Sequence, residues 1–199
     1  MNFTKISLIT ALLFLGFNTF AQKEKKDDKK SHLGIIAGWN NASTSTSNFD
    51  TKSVSGFYAG AVWERKIFPF LKFHSGLVYD QNGFKVDDNI IGLEKVRYDY
   101  LTVPLIAKVQ ILRFYGLGGI TGGLRLGGKR FFDNGSIEKI DSGDIKTYDF
   151  AAQLGLGFEI AFIGIEGRYN WGLTDLNKVD GDAAIQNRYF QLGLHVKLP

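Results

Sequence analysis

The amino-acid sequence predicts an all-β fold: an eight-stranded antiparallel up-and-down barrel that crosses a membrane, with both termini periplasmic. Three observations carry this expectation. Eight segments alternate apolar and polar side chains, the period at which strand side chains change face. The connections between them alternate long and short. The polar faces mix glycine with ionisable groups, a poor surface for a soluble sheet but a suitable filling for a narrow lumen.

The chain begins with MNFTKISLITALLFLGFNTFAQ, in which Lys5 precedes an apolar run of about a dozen residues. Thr19 and Ala21 supply small residues before a cleavage point, so residues 1–21 read as a secretory signal peptide. The run is shorter than the ~20 residues a membrane-spanning helix needs. Residues 22–31, QKEKKDDKKS, are too charged to pack and read as a disordered leader. Residues 32–199 then form one β-barrel domain, a length sufficient for a single folded unit.

The β-patterned segments are 32–40, 54–66, 70–80, 96–111, 113–126, 146–160, 162–173 and 188–198. Segment 1 places Leu33, Ile35, Ala37 and Trp39 on one face, with Ile36 on the wrong one. Segment 2 alternates Phe57, Ala59, Ala61 and Trp63 against Tyr58 and Val62. In segment 3, Leu71, Phe73, Leu77 and Tyr79 oppose Lys72, His74, Gly76 and Asp80. Segment 4 sets Leu101, Val103, Leu105, Ala107, Val109 and Ile111 against Tyr98, Tyr100, Thr102, Lys108 and Gln110. Its Pro104 removes a ladder donor, which predicts a local bulge. Segment 5 opposes Phe114, Ile120, Leu124 and Leu126 to Tyr115, Thr121 and Arg125. Segments 6 and 7 carry the strictest pattern, DFAAQLGLGFEI followed by IGIEGRYNWGL. In segment 8, Phe190, Leu192, Leu194, Val196 and Leu198 face away from Gln191, Gly193, His195 and Lys197.

Tight connections join segments 2 to 3, 4 to 5 and 6 to 7. Long polar loops, 41–53, 81–94, 127–145 and 174–187, supply the others. In an up-and-down barrel this order gathers every long loop at one rim and every tight turn at the other, as in outer-membrane barrels. A soluble barrel would have to pack the large apolar faces into an interior too narrow for them. The apolar faces are therefore assigned to lipid.

The combination of GIIAGWNNAS, YDYLTVPLIAKVQ, AAQLGLGFEI, IGIEGRYNWGLTDL and the final YFQLGLHVKLP resembles the outer-membrane β-barrel family typified by PorT, built on the eight-stranded OmpA/OmpX-type barrel. The resemblance covers about 32–198. Gln191, Gly193, Val196 and Leu198 are similar to the terminal assembly signal of such barrels, although the chain ends in Leu198-Pro199 and not an aromatic residue. The resemblance implies fold and an outer-membrane location, and it brings an association with protein secretion.

Seven charges are expected to pair within the lumen: Lys72, Lys108, Arg125, Glu159, Glu166, Arg168 and Lys197. Trp39, Trp63, Tyr79, Tyr169 and Trp171 are candidate aromatic-girdle residues. No catalytic, cofactor or metal site is expected. The absence of cysteine removes thiolate chemistry. GLRLGGKR (123–130) misses the phosphate loop because Arg130 stands where the metal-binding hydroxyl belongs. His74 and His195 should point inward without a nucleophile at fixed spacing. Asp87-Asp88 and the pair Asp180 and Asp182 fall short of a calcium site.

The net charge of +4 is dispersed and gives no nucleic-acid footprint. The expected partner is outer-membrane lipid, with envelope or secretion-complex proteins reached through the four long loops, and the barrel is expected to be monomeric. The expected role is structural or interactive and non-enzymatic. A secretion accessory or small pore is the alternative, and a lipid-modifying barrel enzyme is a weaker one.

Overall fold

The computed structural model describes residues 31–45, 51–86, 92–140, 146–175 and 186–199. Residues 1–30, which hold the expected signal peptide and nearly all of the leader, lie outside them. Ser31, assigned to the leader from sequence, is the first residue of a strand. The described strands are β1 (Ser31–Ser45), β2 (Thr51–Phe68), β3 (Leu71–Val86), β4 (Leu93–Ile111), β5 (Phe114–Phe132), β6 (Ile137–Lys139), β7 (Tyr148–Ile160), β8 (Ile163–Gly172) and β9 (Gln186–Lys197).

Each long strand pairs antiparallel with its neighbours in sequence, β7 pairs with β5, and β9 returns to β1. Eight strands thus close a barrel, while β6 is a short addition to the long-loop end of β5. Following paired residues around the wall leads from Ser31 through Arg65, Phe73, Ala107, Gly118, Leu154, Tyr169 and Phe190 to Asn41. The path returns to β1 ten residues further along than it began. With eight strands that stagger sets a tilt of roughly 43° and a backbone radius of about 8 Å. Such an interior is filled by its own side chains.

The three tight turns, at Pro69-Phe70, Leu112-Arg113 and Ala161-Phe162, share one rim with Ser31 and Pro199. Leu112 and Ala161 take up left-handed backbone, with φ of 57° and 54°. Strands run past their expected ends into the polar segments: 41–45, 51–53, 81–86, 93–95, 127–132 and 186–187 are ladder, and β6 lies within the expected loop 127–145. Beyond the lipid, both strand faces can be polar, so the alternation fades while the backbone still gains its hydrogen bonds.

Pro104 also differs from expectation. Register runs straight through Val103↔Gly122, Pro104↔Thr121 and Leu105↔Ile120. Toward β3 the ladder lapses between Ser75↔Leu105 and Val78↔Thr102 without a shift. An omitted ladder hydrogen bond, and no bulge, accommodates the missing donor. The β4 irregularities fall instead between Leu93 and Lys95 and between Asp99 and Tyr100. Ile36 is likewise no defect: it is fully buried inside with Tyr58, Val62 and Val78, an apolar patch within the lumen.

Outside the wall, Leu33, Ile35, Leu105, Ile120, Leu154, Leu156, Ile165 and Leu194 are exposed. From Ile163 to Leu173 the apolar band of β8 spans about 25 Å along the barrel axis at this tilt, the height of a lipid-facing belt. Aromatic pairs border it. Phe57–Tyr79, Tyr148–Phe150 and Tyr169–Trp171 lie toward the long-loop end, with centroids 5.4, 6.2 and 4.6 Å apart, and Trp39 stands opposite Phe57. Trp63–Phe73, Phe68–Phe70 and Phe114–Phe158 lie toward the tight turns. The five girdle candidates thus divide between the ends, with Trp63 alone of them toward the turns.

Candidate functional site: the barrel lumen

Inward side chains come from alternate positions of every long strand, so the lumen chemistry follows from parity. Toward the tight turns, Lys108 of β4 is fully buried and donates to Glu64 Oε1 at 2.7 Å and Glu159 Oε2 at 3.2 Å. Its ammonium also lies 3.9 Å from the centre of the Tyr115 ring, a cation–π contact shielded from water. Lys197 of β9 bonds Glu159 and approaches Glu64 Oε2 at 3.8 Å. His74 Nδ1 lies 3.3 Å from Glu64 Oε1, and His195 Nδ1 lies 3.9 Å from it. Lys72 instead donates to Gln110 Oε1 at 2.6 Å.

Further along, Tyr115 donates its hydroxyl to Glu166 Oε2 at 2.9 Å, and Glu166 pairs with Arg168 two residues on in β8. Arg168 reaches Gln153 Oε1 at 3.4 Å, which begins a chain of amides. Gln153 donates to Asn170 at 2.6 Å, Asn170 to Gln191 at 3.1 Å, and Gln191 to Asp80 Oδ2 at 3.0 Å. Asn40 donates to the other Asp80 oxygen at 2.6 Å. This network ties β1, β3, β7, β8 and β9 together across the lumen.

Toward the long-loop end, Asn187 donates to Asp149 Oδ2 at 2.7 Å. Beside it, Tyr100, Thr102, Thr121 and Tyr189 surround a void of about 10 Å³, room for roughly one water. Above these, Phe84, Val96, Tyr98, Tyr100 and Ile140 form a buried apolar cluster inside the extended mouth.

The seven charges singled out from sequence therefore fall into separate places. Lys108, Glu159 and Lys197 meet in one cluster, while Glu166 and Arg168 pair in the next. Lys72 is held by an amide. Arg125 is buried on β5 opposite Tyr100. Sequence reasoning missed Glu64, the carboxylate that joins Lys108, Lys197 and His74. Its signal was present, because Glu64 shares the parity of Tyr58 and Val62, but the noise of segment 2 hid it. Asp80 and Asp149 were on the correct face, but their partners are amides from distant strands.

The glycines on the inner face make room for large neighbours. A Cβ at Gly157 would stand 2.2 Å from Tyr115 Cζ, and one at Gly193 would stand 2.2 Å from the Tyr58 hydroxyl. The GLRLGGKR stretch is extended strand in β5, not a loop that could cradle phosphate. Among the described residues no group of three or more His, Asp or Glu side chains is arranged to hold a metal ion. Asp87-Asp88, Asp180 and Asp182 lie outside the described residues.

A family model described as outer membrane protein beta-barrel domain matches residues 20–178. No curated protein matches. Among solved structures, Neisserial surface protein A is similar, with a TM-score of 0.57 and 13% identity, covering 85% of this chain and 99% of that one. Ail, the attachment invasion locus protein of Yersinia pestis, is similar with a TM-score of 0.52 and 15% identity, over 85% of this chain and 99% of its own. At these identities the likeness concerns the fold alone. Lipid-facing belt, filled lumen and family match agree, and the chain belongs to the outer membrane protein β-barrel domain family.

Proposed function

We propose that this protein is a non-catalytic outer-membrane barrel with a closed lumen, serving the cell envelope as a structural and interaction component. The observation that carries the reading is Lys108: a fully buried ammonium clamped between Glu64 and Glu159. A water-filled conduit would keep such a group solvated. The long-loop rim is then the working surface, and the tight turns and both chain ends face the periplasm. Lipid surrounds the monomeric barrel, and proteins are met through its loops.

The test is conductance of the purified, refolded protein in planar bilayers. The reading expects no ion-selective steps, whereas steady unitary conductance abolished by boiling would refute it. Within this reading the PorT-like motifs favour a role beside a protein-secretion complex. YDYLTVPLIAKVQ and the terminal YFQLGLHVKLP carry that finer assignment. Affinity purification of the intact barrel from envelopes should then recover secretion components, and deletion should block export of defined cargo.

A further inference from the structure

Beyond the aromatic residues of the long-loop rim, β3, β4 and β5 continue as a wing, with β6 at its margin. The wing is two-faced. Phe84, Val96, Tyr98 and Ile140 turn inward over the mouth, whereas residues of the opposite parity turn outward. The outward set is cationic apart from Asp99, whose carboxylate accepts from Tyr79 and Gln81, and its like charges are paired across strands: Lys85 with Lys95, Arg97 with Lys129, and Lys129 with Lys139. Like charges directly opposite one another destabilise a sheet. Lysines protect free sheet edges, but Lys95, Arg97 and Lys129 sit on strands paired on both sides. Phe131 lies among them, its ring centre 4.9 Å from Lys95 Nζ and 6.0 Å from the Arg97 guanidinium. Glu94 comes within 3.9 Å of Lys85 and 3.7 Å of Lys95, one exposed carboxylate shared by two lysines.

Arg97 and Lys95 precede Leu101 of the apolar band by four and six residues. At the barrel's tilt they stand about 10–15 Å beyond that band, a headgroup's depth into the adjoining leaflet. We propose that this outward face of the wing binds the phosphorylated saccharide headgroups of outer-leaflet lipid. Lys95, Arg97 and Lys129 meet the phosphates, and Phe131 offers its face to the sugar. The surrounding leaflet keeps such groups within reach, which explains why the repulsion is retained. The inference rests on the reading that the long-loop rim faces outward.

The experiment uses the full chain refolded in a neutral detergent, titrated with bisphosphorylated lipid A, dephosphorylated lipid A or dextran sulfate. The double variant Lys95→Gln/Lys129→Gln is compared with Lys66→Gln, which lies near the tight turns. Heat-modifiable gel mobility establishes that each is folded. Bisphosphorylated lipid A should bind wild type and Lys66→Gln alike. The double variant should bind at least tenfold more weakly, from about fivefold per basic residue near an anionic surface. Dephosphorylation should cause a similar loss. Equal binding by the double variant, or by dephosphorylated lipid A, overturns the proposal. A preference for dextran sulfate overturns the lipid source in favour of a soluble polyanion. Orientation is read separately: Ser136→Cys, on the exposed tip between β5 and β6, should react with an impermeant maleimide on intact cells. Failure there refutes the outward rim, whatever the purified protein binds.

Discussion

Replacing Lys108 by methionine tests whether the lumen cluster stabilises the barrel as a coupled unit. Lys108 is fully buried, with carboxylate oxygens at 2.7 and 3.2 Å. At an effective dielectric of about 20 these attractions are about 6 and 5 kcal/mol, opposed by a desolvation penalty of several kcal/mol per ion. Breaking such a pair from one side typically costs about 3–5 kcal/mol, because the remaining carboxylates stay buried. Here Lys197 still serves Glu159, and His74 still serves Glu64, which places Lys108→Met near about 3 kcal/mol. Glu64→Gln should cost less, since Lys108 retains Glu159. The double variant should then be milder than the two singles added together by about 2 kcal/mol. Urea unfolding in lipid vesicles, followed by the fluorescence of the outward-facing Trp39, Trp63 and Trp171, measures all three. Additivity within about 0.5 kcal/mol, or a Lys108→Met cost below that figure, would refute the coupled cluster.

Three other outcomes follow from the geometry. Leu156→Arg puts a charge on the lipid face at a side chain that is 76% exposed; it should cost about 2–4 kcal/mol in vesicles. The same change at Leu112, 89% exposed on a turn, should cost about 0–1 kcal/mol. Gly157→Ala drives a methyl into Tyr115 and breaks its bond to Glu166, a loss of about 1–3 kcal/mol that Tyr115→Leu should partly relieve in the double variant. Ala161→Gly relieves left-handed backbone at φ 54° and should raise the unfolding free energy in vesicles by about 0.5–1 kcal/mol, an effect absent at the ordinary turn position Phe162.

Lumen and lipid faces were readable wherever strand parity was clean. Gln153, Glu166 and Arg168 needed only the alternation of two neighbouring segments to be placed inside. Glu64 was lost because Tyr58 and Val62, large side chains on its face, made segment 2 look apolar on both sides. They belong to a lumen layer that also explains Ile36. Pro104 misled in the other direction, since a missing donor can be met by a lapse in one ladder as well as by a bulge. The strand extensions and β6 escaped notice because outside the lipid nothing enforces alternation.

By itself the sequence determined the number of barrel strands, the distribution of long and short connections, and which face of each strand meets lipid. These are local properties: a two-residue period and a turn length survive in one dimension. Only the tertiary structure decided which charges meet. Glu64, Lys108, Glu159 and Lys197 come from β2, β4, β7 and β9, and the ten-residue stagger of the closed wall brings them to one level. Register between successive strands likewise sets like charges opposite one another on the wing. Register is a relation between strands, and no single strand carries it.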